Sequence, residues 1–146
     1  SGVAAGSICR RSLASQSTMG EMVLWVDTSG SIGGKEMAMF QGHLNRILES
    51  VKPTKLHVVY CDAHVGSVDT YEPDELPATF KTPSGGGGTD LRRIFDWINE
   101  QGITPACCVV LTDMYTPFPE AVDFPTVWLA TSDIVAPVGQ TVRFEE

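Results

Sequence analysis

A doubly wound α/β fold, with a mostly parallel sheet and one antiparallel edge strand, is what the sequence predicts. Three observations predict it. Short apolar runs recur along the chain, helical patterns fall between them, and one pair of runs is separated by only two residues. Runs that are apolar throughout mark strands buried on both faces, as in a parallel sheet covered by helices.

The first run, Glu21 to Asp27 (EMVLWVD), reads as a central strand ending in a carboxylate. Gly33 and Gly34 then introduce Met37, Phe40, Leu44, Ile47, Leu48 and Val51 at steps of three and four. That stripe predicts a helix, which Pro53 closes. Lys55 to Asp62 (KLHVVYCD) is a second strand, and Ala63 and His64 turn it tightly into Val65 to Tyr71, the antiparallel neighbour. Residues 72–88 hold an acidic stretch with prolines, a short Thr79–Thr82 segment and four consecutive glycines, Gly85 to Gly88. Leu91, Ile94, Phe95 and Ile98 mark a second helix, ended by Gly102. Ala106 to Asp113 (ACCVVLTD), Thr126 to Ala130 (TVWLA) and an edge strand at Thr141 to Phe144 complete the sheet. A helix near residues 116–124 is expected to be absent or very short, because TPFPEAVDFP carries three prolines.

At 146 residues and 42% hydrophobic content the chain is long enough for one domain with its own core. Residues 1–18, rich in Ser, Ala and Gly, read as a linker or tail, and 19–146 as the domain. The tail holds Arg10 and Arg11 and no acid, so it masks part of the domain's acidity. The arginines are followed by Ser-rich sequence instead of an apolar stretch, which is not a secretory signal. The chain opens on Ser1 with no Met, as a piece of a longer protein would. A formal net charge of −8 argues against a nucleic-acid partner, since phosphate binding rests on clustered Lys and Arg. The longest apolar runs, Met22 to Val26 and Ala106 to Leu111, fall far short of the ~18 residues of a membrane span.

The cysteines are Cys9, Cys61, Cys107 and Cys108, with no C-x-x-C pair and no metal spacing to His43, His57 or His64. A domain of this size does not need disulfides, so none is expected. Adjacent Cys107 and Cys108 should point to opposite faces of a strand and pack as small apolar groups. A reducing, cytoplasmic setting is the expectation that follows.

Ligands of open α/β sheets bind at the carboxyl ends of strands, where the strand order reverses. Three turns there carry the unusual polar residues: Asp27-Thr28-Ser29-Gly30-Ser31, Gly88-Thr89-Asp90 and Thr112-Asp113. Asp, Ser and Thr oxygens without His or Cys describe a hard-cation site, best suited to Mg²⁺, with Mn²⁺ or Ca²⁺ as alternatives. Asp27, Ser29 and Ser31 occupy alternate positions, so their side chains can face one side while Gly30 lets the backbone bend.

DTSGS, GGGGTD and LTD, in this order and on these elements, resemble the metal-ion-dependent adhesion site of von Willebrand factor A-like domains, a Rossmann-like family. The resemblance covers roughly residues 21–144. YCDAHVG, GGGGTDL and PTVWLAT followed by PVG are further similar to the C-terminal A-like domain of bacterial and phage proteins with a metallopeptidase-like region. No H-E-x-x-H is present in this chain. The resemblance implies that Ser29 and Ser31 bind the ion directly and Thr89 directly or through water. Asp27 and Asp113 would anchor coordinated waters and hold the serines. It implies a protein partner that supplies an Asp or Glu, of the AAA+ ATPase class, with no nucleic acid and no membrane involved. Met114 stands where such families often carry Gly after the Asp.

Other readings are weaker. Single acids commonly cap strand-to-helix turns, and Asp90 is best read as such an N-terminal acid. Trp25, Trp97 and Trp128 read as packing residues, His64 as a turn residue, and Asp62, Asp69, Glu72, Asp74 and Glu75 as a solvated face. A retropepsin-like protease wants Gly at the Ser29 position, and a haloacid-dehalogenase-type phosphatase wants a second Asp there. Neither fits, and an Asp27-centred hydrolase remains the lesser alternative. A scaffold with a vestigial metal site is the second reading, and no enzyme activity is expected.

Overall fold

The computed structural model describes residues 20–27, 34–50, 53–61, 65–75 and 90–143. Strand β1 (Glu21–Asp27) is buried from Met22 onward, which places it inside a sheet instead of at an edge. Helix α1 (Gly34–Ser50) follows, then β2 (Lys55–Cys61) and β3 (Val65–Tyr71). Helix α2 (Arg93–Glu100) leads to β4 (Pro105–Thr112), β5 (Thr126–Ala130) and β6 (Gln140–Arg143). The strand order is β3-β2-β1-β4-β5-β6. Every pair is parallel except β2 with β3, so the sheet is the predicted one. The edge strand β6 begins one residue earlier than expected. Because the chain moves from β1 to β2 on one side and later to β4 on the other, the order reverses between β1 and β4. That is the switch point at which sheets of this kind bind ligands.

Period-two alternation divides the core into two layers. Met22, Leu24 and Val26 face one layer with Met37, Phe40, Leu44 and Leu48 of α1. Val23 and Trp25 face the other with Leu91, Ile94 and Ile98. Ile47, Val51 and His64 lie outside the residues whose side chains are described, as do the tail and the Gly85–Gly88 run.

Helix α2 stops where Gly102 adopts a φ of +68°, the left-handed conformation that costs glycine least. Ile103 N–H then reaches the Ile98 carbonyl at 3.2 Å and Gly102 N–H reaches that of Asn99 at 3.1 Å. These bonds satisfy carbonyls that a helix end leaves open. No helix forms over 116–124. The proline-interrupted segment instead covers the second layer with aromatics. Phe118 meets Trp128 edge-on with ring centroids 5.3 Å apart, and Phe124 stacks on Phe95 at 5.6 Å.

Cys107 and Cys108 are buried in opposite layers, as the alternation requires. Cys61 and Cys108 are buried and stand in no disulfide. Cys107 is disulfide-bonded, with a partner outside the described residues. This corrects the expectation of thiols throughout. Spacing along the chain carries no information on whether two β-carbons approach closely enough to bridge, and a reducing setting no longer follows from the cysteines. Among the described residues, no helix is long and apolar enough to cross a membrane.

Candidate functional site

The parallel register of β1 with β4 pairs Val26 with Leu111, which sets Asp27 beside Thr112 at the carboxyl ends of both strands. Both side chains are fully buried. The Thr112 hydroxyl donates to Oδ2 of Asp27 at 2.6 Å, a short bond of the kind a carboxylate acceptor gives. The same hydroxyl oxygen accepts the Met114 N–H at 3.0 Å. Thr112 therefore links the first strand's carboxylate to the backbone of the loop after β4.

That loop is tightly held. Asp113 is half-buried, and its Oδ1 accepts the Tyr115 N–H at 3.0 Å. Its carbonyl accepts the Ser132 hydroxyl at 2.5 Å, and the Thr112 carbonyl accepts the Thr131 N–H at 3.0 Å. The loop after β5 is thus pinned to the loop after β4. Met114 has a φ of +74° and a side chain only 1% exposed, inside the second core layer. The residue that departs from the expected glycine keeps the glycine-like backbone, and burial of its side chain offsets the steric cost.

The segment leading into α2 joins the same framework. Leu91 N–H donates to Thr116 Oγ1 at 2.9 Å, tying it to the loop after β4. Asp90 is engaged with Arg92: Oδ1 accepts its backbone N–H at 3.1 Å and its Nε at 2.9 Å, while Oδ2 accepts Nη2 at 3.0 Å. The hydrogen bond from Arg92 holds the Asp90 carboxyl below the usual range.

Of the sequence-predicted ligands, Asp27 and Asp113 lie on adjoining strand ends. Ser29, Ser31 and Thr89 lie outside the described residues. Among the described residues no three His, Cys, Asp or Glu side chains group as metal ligands. Two carboxylates at one switch point, with Asp90 engaged by Arg92 and hydroxyls the remaining side-chain donors of the three motifs, nonetheless suit a hard divalent cation by donor chemistry. Sequence reasoning missed Thr112 as a contact of Asp27, although a hydroxyl ending the all-apolar strand PACCVVLT was its signal. Ser132 gave no local signal.

His57 stands at the opposite end of the sheet. Its Nε2 lies 3.0 Å from Glu21 Oε1 and its Nδ1 3.3 Å from Thr70 Oγ1, so it bridges β1, β2 and β3 there.

No curated protein and no solved structure matches the chain. The family model described as VWA-like domain (DUF2201) matches residues 22–145, from the second residue of β1 to beyond β6. With that match spanning the sheet, both core layers and the switch point, the chain belongs to this VWA-like domain family.

Proposed function

We propose that the domain is a metal-dependent protein-interaction module. A divalent cation, Mg²⁺ in the first instance and Mn²⁺ or Ca²⁺ otherwise, is held at the switch point by Asp27, Ser29, Ser31, Thr89 and Asp113. The observation that carries this reading is the buried Asp27 carboxylate, fixed by Thr112 one residue before Asp113. A carboxylate removed from water needs a compensating charge or strong donors, and a cation supplies the first. Neutral hydroxyl ligands leave such an ion strongly positive, so a partner's Asp or Glu can complete its coordination. The partner is a protein, with an AAA+ ATPase the class to try first. The domain acts by binding and not by catalysis.

Thermal melting with and without Mg²⁺ or Mn²⁺ tests the reading. The metal should raise the Tm of the native chain, and Asp27→Asn or Ser29→Ala should abolish the increase. Equal shifts in native and variant proteins would remove the site assignment. A partner that binds equally well in EDTA would favour a scaffold with a vestigial site.

A further inference from the structure

Among the described residues three large apolar side chains are exposed: Val68 at 38%, Tyr115 at 70% and Val135 at 73%. Val68 lies on the edge strand β3. The other two stand on the loops that leave β4 and β5, and these loops meet at Asp113. Ser132 Oγ donates to the Asp113 carbonyl and accepts the Ile134 N–H at 3.4 Å, one residue before Val135. Tyr115 is held by its N–H on Asp113 Oδ1. The left-handed turn at Met114 sends the methionine side chain into the core and leaves the next side chain in solvent.

The other large aromatics nearby are spent on packing. Trp128 is fully buried, and Phe95, Phe118 and Phe124 rest against the core. Tyr115 is instead presented on a fixed backbone, and a rigid aromatic loses little entropy on binding. Exposed tyrosines on rigid supports are frequent anchors of protein interfaces. Charge narrows the partner further. A chain with a net charge of −8 repels a run of acids, whereas a single carboxylate flanked by apolar side chains carries the anion without that repulsion.

We infer that Tyr115 and Val135 form an apolar rim beside Asp113 that selects a protein segment whose single acidic residue is flanked by apolar side chains. This rests on the metal-and-carboxylate reading above. The rim sets specificity and the cation supplies the charge contact.

Three acetylated, amidated pentapeptides, GLDLG, GSDSG and GLNLG, test it by NMR titration of the full chain in saturating Mg²⁺. GLDLG should bind at least about tenfold more tightly than GSDSG, the size of effect one anchoring side chain produces. GLNLG should not bind. Tyr115→Ser should bring GLDLG down to the level of GSDSG, with the Mg²⁺-induced rise in Tm unchanged, and Tyr115→Phe should keep the preference. If Mg²⁺ stabilises the chain through Asp27 but GLDLG binds no better than GSDSG, or the preference survives Tyr115→Ser, the rim inference falls alone. If neither peptide binds and Mg²⁺ moves native and Asp27→Asn proteins alike, both readings fall.

Discussion

The Thr112 hydroxyl sits between the Asp27 carboxylate, 2.6 Å away, and the Met114 amide, 3.0 Å away, donating to the first and accepting from the second. One side chain thus closes the gap between β1 and the loop after β4. Thr112→Val keeps the shape and removes both bonds, which leaves a buried carboxylate short of a donor and a buried amide short of an acceptor. The expected loss is about 1–3 kcal/mol, read as a lower urea midpoint with an unchanged slope. A stability equal to that of the native chain would show that other contacts of Asp27 suffice.

Met114 makes a signed prediction. At an ordinary position Ala is more stable than Gly by about 0.5–1 kcal/mol. At Met114 both substitutions lose the same buried side chain, but only Gly relieves the left-handed φ of +74°. Relief of about 1–2 kcal/mol should reverse the order, so that Met114→Gly is at least as stable as Met114→Ala while both fall below the native protein. Urea unfolding of the three decides it.

That position also marks where sequence reading stops. The strands EMVLWVD, ACCVVLTD and TVWLA are legible because a parallel strand between two helical layers must be apolar on both faces, whatever its partners. The antiparallel edge is legible because two residues between runs leave room only for a hairpin. Lost helicity over 116–124 follows from proline chemistry. The backbone at Met114 is different: Met stands where such families often carry Gly, yet the turn stays glycine-like with the methionine side chain buried in the core. The Cys107 disulfide and the Ser132–Asp113 latch are likewise long-range pairings with no local signature. At the candidate site the two carboxylates were legible as strand ends at a switch point. The hydroxyl that holds one of them was visible only once β1 and β4 were in register.

Two glycines separate strain from crowding. Gly102 and Gly139 both have positive φ, +68° and +72°. A β-carbon on Gly102 would meet nothing within 4 Å, whereas on Gly139 it would lie 2.7 Å from the Thr126 carbonyl oxygen and 3.0 Å from Trp128 Nε1. Gly102→Ala should cost about 1–2 kcal/mol, the left-handed strain alone. Gly139→Ala should cost at least about 1 kcal/mol more, since overpacking adds its own term. It should also disturb the 2.8 Å bond from Trp128 Nε1 to the Val138 carbonyl. Urea midpoints and tryptophan fluorescence read the two effects, and equal costs would mean that the β5–β6 connection yields freely.

Burial gives Cys108 a distinct alkaline behaviour. Desolvation by burial penalises the thiolate, and its pKa is pushed up to about 12 from an ordinary 9.0. A raised pKa means that the folded chain holds this proton more tightly than the unfolded one. The contribution to stability is therefore complete below pH 9.0 and is lost as pH rises toward about 12. Cys108→Ala should flatten that alkaline fall in unfolding free energy, although it lowers stability at neutral pH by leaving a small void. In the native protein iodoacetamide should leave Cys108 unmodified at pH 8.5 and label it fully in urea, with peptide mass spectrometry as the readout. Rapid native labelling would mean that β4 opens locally, and with it the strand that carries Thr112 to Asp27.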